Sequence, residues 1–266
     1  MRDHVGFRAY EPSVTSSQVL VQSPSTTSDR YSLLLSTEPA VVDAAQRLRH
    51  RIFAGELGAT LPHPFLDRDR FDAHCDHLVV REDATGEIVG TYRMLPPDRA
   101  AAAGSLYCEG EFEIDALAPL RPSLVETGRS CVHPDHRNGA VIGLVWAGLA
   151  RYMLLTGNRW LVGCASVPLA DGGVTAAGVW ARVQAKHLAP PALRVKPRDN
   201  WLLRNELVGD PKVQPPALLK GYLRLGSWIC GEPAYDADFN VADFYVLFSM
   251  DRLDPRYRRH FLGAAR

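Results

Sequence analysis

Apolar positions along this chain recur with two periods, and the breaks between them predict its elements. Runs at residues 31–35, 78–82, 87–95, 124–131, 160–166 and 241–250 are short and rich in Leu, Val, Ile, Tyr and Phe. They read as β-strands. Asp83-Ala84-Thr85-Gly86 joins the second and third into a hairpin. Val41, Ala45, Leu48 and Ile52 instead recur at helical spacing behind Ser36-Thr37-Glu38-Pro39, a helix-start signal of hydroxyl, acid and early proline. That helix should end near Gly55, and its Arg47, Arg49 and Arg51 would ordinarily form a solvated face. Residues 140–155 form the longest apolar stretch and predict a helix opening near Asn138 and stopping at Gly157. Another helix is predicted over residues 175–187, after Gly172-Gly173. Strands alternating with helices imply an α/β architecture.

The segments between these elements are polar. Residues 57–76 are irregular, with Pro62, Pro64 and the acids Asp67, Asp69 and Asp72, a length typical of functional lids or of disordered segments. Residues 190–216 alternate prolines and charges and read as loop, and residues 11–29, rich in Ser, Thr, Pro and Gln, read as a flexible lead-in. The expected organisation is a lead-in over residues 1–30, a folded domain over 31–250 and a basic tail over 251–266.

With 266 residues, 46% of them apolar, the chain can bury a full core. Thirty basic residues balance thirty acidic ones, so nothing global points to nucleic acid. The five cysteines, at 75, 108, 131, 164 and 230, form no CxxC pair. That usage fits a reducing, cytoplasmic setting. No signal peptide is expected in the first thirty residues, and residues 140–155, interrupted by Arg151, are short for a bilayer span. His74-Cys75-Asp76-His77 could suggest a metal, but adjacent residues rarely converge on one ion, and the start of a strand is the preferred reading. No metal site is therefore expected.

Residues 124–156 carry the main chemical signal: a strand, a tight Val132-His133-Pro134-Asp135 turn, and the long helix. A strand feeding directly into a helix leaves the first helical N–H groups unpaired, a ready phosphate site, and Arg137 adds a fixed positive charge at its mouth. A buried strand–helix unit whose Gly, Pro and Arg serve only the turn is the alternative.

The wording of this segment, with Val132, Pro134, Arg137, Gly139 and Ala140, resembles the acyl-carrier-binding motif of GNAT-superfamily acyltransferases. Ala140 and Ile142 stand where the usual pattern has glycines. Four further stretches, LRHRIFAGELG with Arg49 and Phe53, DRFD with Asp69 and Asp72, GTYRML with Arg93, and ETGR with Glu126 and Arg129, resemble in order the acyl-homoserine-lactone synthases. Ala59 stands where those synthases typically carry Trp. The continuous wording of residues 126–153 and 218–247 is most similar to the ornithine-lipid N-acyltransferases and related hemolysin-like GNAT proteins, a resemblance covering residues 31–250.

This resemblance implies a GNAT fold, a mixed central β-sheet flanked by helices with a C-terminal family-specific extension. It implies transfer of a 3-hydroxyacyl chain from acyl–acyl carrier protein to the α-amine of ornithine, giving a lyso-ornithine-lipid-type product, with no tightly bound cofactor. Acyl-coenzyme A is the other donor. An acyl-homoserine-lactone-type synthase, a short-chain N-acetyltransferase and a non-catalytic carrier-binding module remain as alternatives.

Glu126 is then the candidate base for the acceptor amine, with Arg129 beside it; the alternative is a Glu126 that only pairs with Arg129 or Arg93. Residues three apart on a regular strand face opposite ways, so both reach one site only if the strand bulges, which is expected at Thr127-Gly128. Val132, Arg137, Asn138, Gly139 and Ala140 are assigned to the phosphopantetheine phosphate. Arg49, Phe53, Asp69, Asp72 and Arg93 are assigned to the acceptor, with Asp69 and Asp72 as counter-charge for the ornithine side chain. Leu144, Trp146, Trp180 and Phe244 are candidate walls of an acyl tunnel, although core packing would explain them as well. Residues 218–231 and the basic tail are candidates for peripheral contact with the inner membrane face.

Overall fold

A computed structural model describes residues 16–22 and 30–253. In chain order the elements are β1 (Ser17–Gln22), β2 (Tyr31–Ser36), α1 (Pro39–Phe53), β3 (Asp76–Glu82), β4 (Ile88–Leu95), α2 (Pro97–Ala103), β5 (Phe112–Glu113), β6 (Leu124–Val132) and α3 (Gly139–Thr156). Then follow β7 (Trp160–Pro168), α4 (Val174–Lys186), β8 (Lys196–Pro197), α5 (Ala217–Arg224), β9 (Trp228–Ile229), β10 (Ala234–Asp236) and β11 (Val241–Ser249). The main sheet runs β1-β2-β3-β4-β6-β7-β11-β10, with β9 also on β11. Among the described strands of this sheet β6 and β7 pair in parallel and the other ladders are antiparallel.

Helices cover both faces, which is why β2 and β3 read as apolar runs rather than alternating ones. Leu34 and Val79 point to α1 and meet Ala45, Leu48 and Ile52. Their neighbours Leu33, Leu35, Leu78 and Val80 point to the opposite side and pack with Val141, Leu144, Val145 and Leu149 of α3. α3 is the one helix among the described residues long and apolar enough to cross a membrane, yet it lies over the sheet with its inner side chains in this core. Its ends match the residues that predicted them: Asn138 is the N-cap, accepting from Ala140 and Val141 N–H, and Gly157 closes it with φ of 68°. At α1 the expected hydroxyl cap is displaced; Ser36 Oγ accepts from Glu38 N, and Glu38 occupies the cap position without a side-chain bond.

The lead-in reading of residues 1–30 needs correction at residues 17–22, which form β1 antiparallel to β2. Leu20 alone of that strand is buried. Val19-Leu20-Val21 is too short an apolar run within Ser and Gln to announce a strand, and the pairing comes from β2's open edge. The remainder of the lead-in outside 16–22 and 30, and the tail beyond residue 253, lie outside the described residues.

Candidate active site

β6 and β7 pair only from Leu124↔Trp160 to Glu126↔Val162 and then part. Gly163 permits the last close approach, since a Cβ there would stand 2.4 Å from the Thr127 carbonyl oxygen. A cavity of about 230 Å³ opens where the strands diverge, lined by Glu126 to Ser130 of β6 and by Cys164, Ser166 and Pro168 of β7. The expected bulge in β6 is present, one step further along than Thr127-Gly128. Thr91 pairs with Cys131 and Arg93 with Gly128, so three β6 steps face two on β4. The strained residue is Arg129 itself, at φ of 55°, and not the glycine. Glu126 and Arg129 consequently line the same cavity.

Glu126 is 5% exposed. Its Oε2 accepts from Tyr107 N–H at 2.7 Å and its Oε1 from Cys108 N–H at 2.8 Å. Backbone amides therefore fix it, in place of the arginine partner that the alternative reading required. Burial raises its pKa above the ordinary carboxylate value, although the Cys108 thiol, the two amides and Arg93 act in the opposite sense. A rigid carboxylate with a raised pKa can accept a proton from an amine.

The predicted acceptor residues form an ion network. Arg49 is fully buried and donates to Asp67 at 2.8 Å and to Asp72 at 2.9 Å. Arg93 donates to Asp69 at 2.6 Å. Arg129 stands 3.2 Å from Asp67 and 3.5 Å from Asp69. Three arginines thus face three aspartates, and Asp69 and Asp72 supply no spare counter-charge. Arg49 is neither on a solvated face nor on the cavity wall, which of this group only Phe53, Arg93 and Arg129 reach. A helix pattern cannot reveal this burial because the partners arrive from the 57–76 loop. Burial by itself would raise the Asp72 pKa, but Arg49 and Arg93 hold it below the usual value. The Arg129 Nε is the atom that faces Asp67, and its guanidinium lies 4.7 Å from the Tyr107 ring centroid and 5.0 Å from that of Phe239.

His77 sits at the base of this network, fully buried, near the start of β3 as expected. Asp76 beside it is engaged by Arg99 and Tyr152. Burial, then Arg49, depress the His77 pKa from 6.5 to about 4. Folded His77 stays neutral between those values while the unfolded chain takes up a proton, so stability falls as pH falls through that window. The shift corresponds to about 3 kcal/mol. Urea titrations at a series of pH values should show this loss in the native protein and a flatter profile in His77→Gln.

At the predicted phosphate end, Arg137 Nη2 binds Glu56 at 2.6 Å and its Nε donates to the Val132 carbonyl at 3.1 Å. Asn138 Oδ1 accepts from Ala140 and Val141 N–H, so the Ala140 amide assigned to phosphate is met by the helix's own cap. Val132, Arg137, Asn138, Gly139 and Ala140 all stand outside the cavity lining. The proposed tunnel walls do not line it either. Leu144 and Phe244 are core, Trp146 stacks edge-on to Tyr222, and Trp180 borders a separate groove.

Sequence reasoning missed the clamp at Tyr107 and Cys108, whose contribution is backbone and carries no side-chain signature. It also missed Glu111, Asp236 and Asp243 on the cavity wall. Asp243 did leave a signal, an acid inside the otherwise apolar run 241–250. Glu111, Cys164 and Asp243 offer side-chain atoms within 4.8 Å of one another.

A sequence model of the Acetyltransferase (GNAT) domain matches residues 48–147. The chain is 36% identical over 251 residues to the L-ornithine N(alpha)-acyltransferase of Rhodobacter capsulatus, a match covering 87% of this chain and 94% of that protein. The enzyme of the same name from Rhizobium meliloti is 32% identical over 253 residues, 85% of this chain and 82% of the relative. An acyl-homoserine-lactone synthase of Ralstonia nicotianae is 44% identical over 64 residues, 23% of this chain and 31% of that one. The mixed sheet, the parting strands with a carboxylate at the fork, and these full-length matches agree: the chain is a GNAT acyltransferase and belongs to the L-ornithine N(alpha)-acyltransferase family.

Proposed function

We propose that this chain forms an amide between an acyl chain delivered by acyl carrier protein and the α-amine of ornithine, giving a lyso-ornithine-lipid-type product. The observation that carries the reading is Glu126, an amide-clamped and buried carboxylate at the β6–β7 fork. The acceptor nitrogen attacks the thioester carbonyl, the C–N bond forms and the C–S bond breaks. Glu126 takes the amine's proton and the departing thiolate is protonated in turn. The guanidinium of Arg129, on the cavity wall, holds the acceptor's α-carboxylate.

The donor's phosphate meets Arg137 at the opening of α3, exchanging for Glu56. One phosphate suits a helix start whose Ala140 and Val141 amides are already capped, which favours a phosphopantetheine arm over coenzyme A. The enzyme works in the cytoplasm and releases an amphiphile at the inner membrane face, where Lys220 and Arg224 of α5 meet anionic headgroups. A homoserine-lactone-type synthase is the second reading, supported by the 64-residue match.

Incubating the protein with 3-hydroxyacyl–acyl carrier protein and ornithine should give an N-acylornithine by mass spectrometry. Arg137→Ala should raise the donor KM about 10- to 100-fold with the acceptor KM little changed. Turnover of acyl-coenzyme A at an equal rate would remove the carrier-protein assignment, and lactone formation from S-adenosylmethionine would favour the second reading.

A further inference from the structure

Around the cavity the charges divide unevenly. On the side of Arg49, Arg93 and Arg129 every guanidinium meets an aspartate. Glu111 before β5, Asp236 of β10 and Asp243 of β11 also line the cavity, and among the described residues no Lys, Arg or His side chain forms an ion pair with any of them. Two details separate this trio from a solvated acidic patch. Asp243 is 3% exposed, anchored by the Ser166 hydroxyl at 2.6 Å. Glu111 lines the cavity, and its buried Oε2 has no hydrogen-bond partner among the described residues. Asp236 is held by its own turn, its Oδ1 accepting from Asp238 and Phe239 N–H.

Buried carboxylates without cations are costly unless a proton or a ligand supplies the missing charge. Burial, followed by Asp243 and Asp236, pushes Glu111 well above its ordinary value; burial pushes Asp243 to about 6. Both shifts mean that negative charge on this wall is disfavoured unless a cation offsets it. The same cavity carries Glu126 and Arg129, the groups assigned above to the α-amine and α-carboxylate.

We infer that Glu111 and Asp243, with Asp236 behind them, form the subsite for the side-chain ammonium of a diamino-acid acceptor and decide its selection over neutral amino acids. This rests on the N-acyltransferase reading and goes past it in naming the residues of specificity. An ammonium has three donors; Glu111 Oε2 and the Asp243 carboxylate are acceptors at a spacing one such group can bridge. A neutral side chain of the same length leaves both acids unpaired and is rejected by that cost. Cys164 beside them, its thiol pushed well above its ordinary value by burial, acts as a small apolar wall.

The test compares ornithine with norvaline, the same carbon skeleton without the terminal amine, as acceptors for the full chain, Glu111→Gln and Asp243→Asn. The native protein should prefer ornithine in kcat/KM. Each variant should lower that preference by about 30-fold or more, mainly through the ornithine KM. Thermal melts confirm folding, and Asp236→Asn, in a residue held by backbone amides, should give a smaller loss in the same direction. An unchanged preference in folded variants overturns the inference, as does a native protein that acylates both acceptors equally. No acylation of either amino acid by the native protein would instead overturn the underlying N-acyltransferase reading. Metal content of the purified protein provides a separate readout: a stoichiometric divalent ion lost in Glu111→Gln would assign the trio to metal and overturn the ammonium subsite.

Discussion

Glu126→Gln is expected to lower kcat for acyl transfer by about 10²- to 10⁴-fold, the range for removal of a positioned general base. The acceptor amine is protonated in neutral water and attacks only after losing that proton. Glu126 faces the cavity with a pKa raised by burial, and glutamine keeps its shape without basicity. The acidic limb of the kcat profile should accordingly lie above the ordinary carboxylate value of 4.5 and vanish in the variant. A structural contribution must be separated from the chemical one. Glutamine presents one acceptor and one donor to the Tyr107 and Cys108 amides, so one bond is lost at about 1–3 kcal/mol. Melting temperature reads that loss, whereas acceptor and donor KM report binding. A folded Glu126→Gln protein with native kcat would confine the residue to holding the 107–108 turn.

Arg49→Met is expected to give the largest loss of stability, about 3–5 kcal/mol, because it strands buried carboxylates. Arg49 is fully buried and meets Asp67 and Asp72, which are themselves nearly inaccessible. Removing both sides is milder than removing one, so Arg49→Met combined with Asp72→Asn should recover part of the loss. Urea unfolding measures both. Arg49→Lys cannot reproduce the fork that spans two carboxylates and should remain well below the native protein. A loss under about 1 kcal/mol in Arg49→Met would mean the aspartates simply take up protons, and the network would not be the support of the site.

The elements were legible wherever a local rule decides them. Asn138 and Gly157 bracket α3 as their chemistry dictates, and the Asp83–Gly86 turn joins β3 to β4. The need for a bulge was also legible, since Glu126 and Arg129 are three apart, but its position was not. Local propensity favours Gly128 for the strained backbone; the pairing of β4 with β6 placed it on Arg129, where ring and aspartate contacts hold the side chain. β1 was missed because its three apolar residues, Val19 to Val21, make too short a run to show a period.

The sequence by itself determined the α/β order of elements and the family wording around residues 126–140, a stretch that contains the cavity-lining Glu126. Those features depend on neighbours in the chain, through spacing, capping and turn chemistry. Tertiary structure alone decided which charges cancel. It matched Asp69 and Asp72 with arginines from α1, β4 and β6, and it placed Glu111, Asp236 and Asp243 on the wall of one cavity with no ion pair among the described residues. Electrostatic pairing acts through space over a few ångströms between residues distant in the chain, so linear order carries no record of which acid is free.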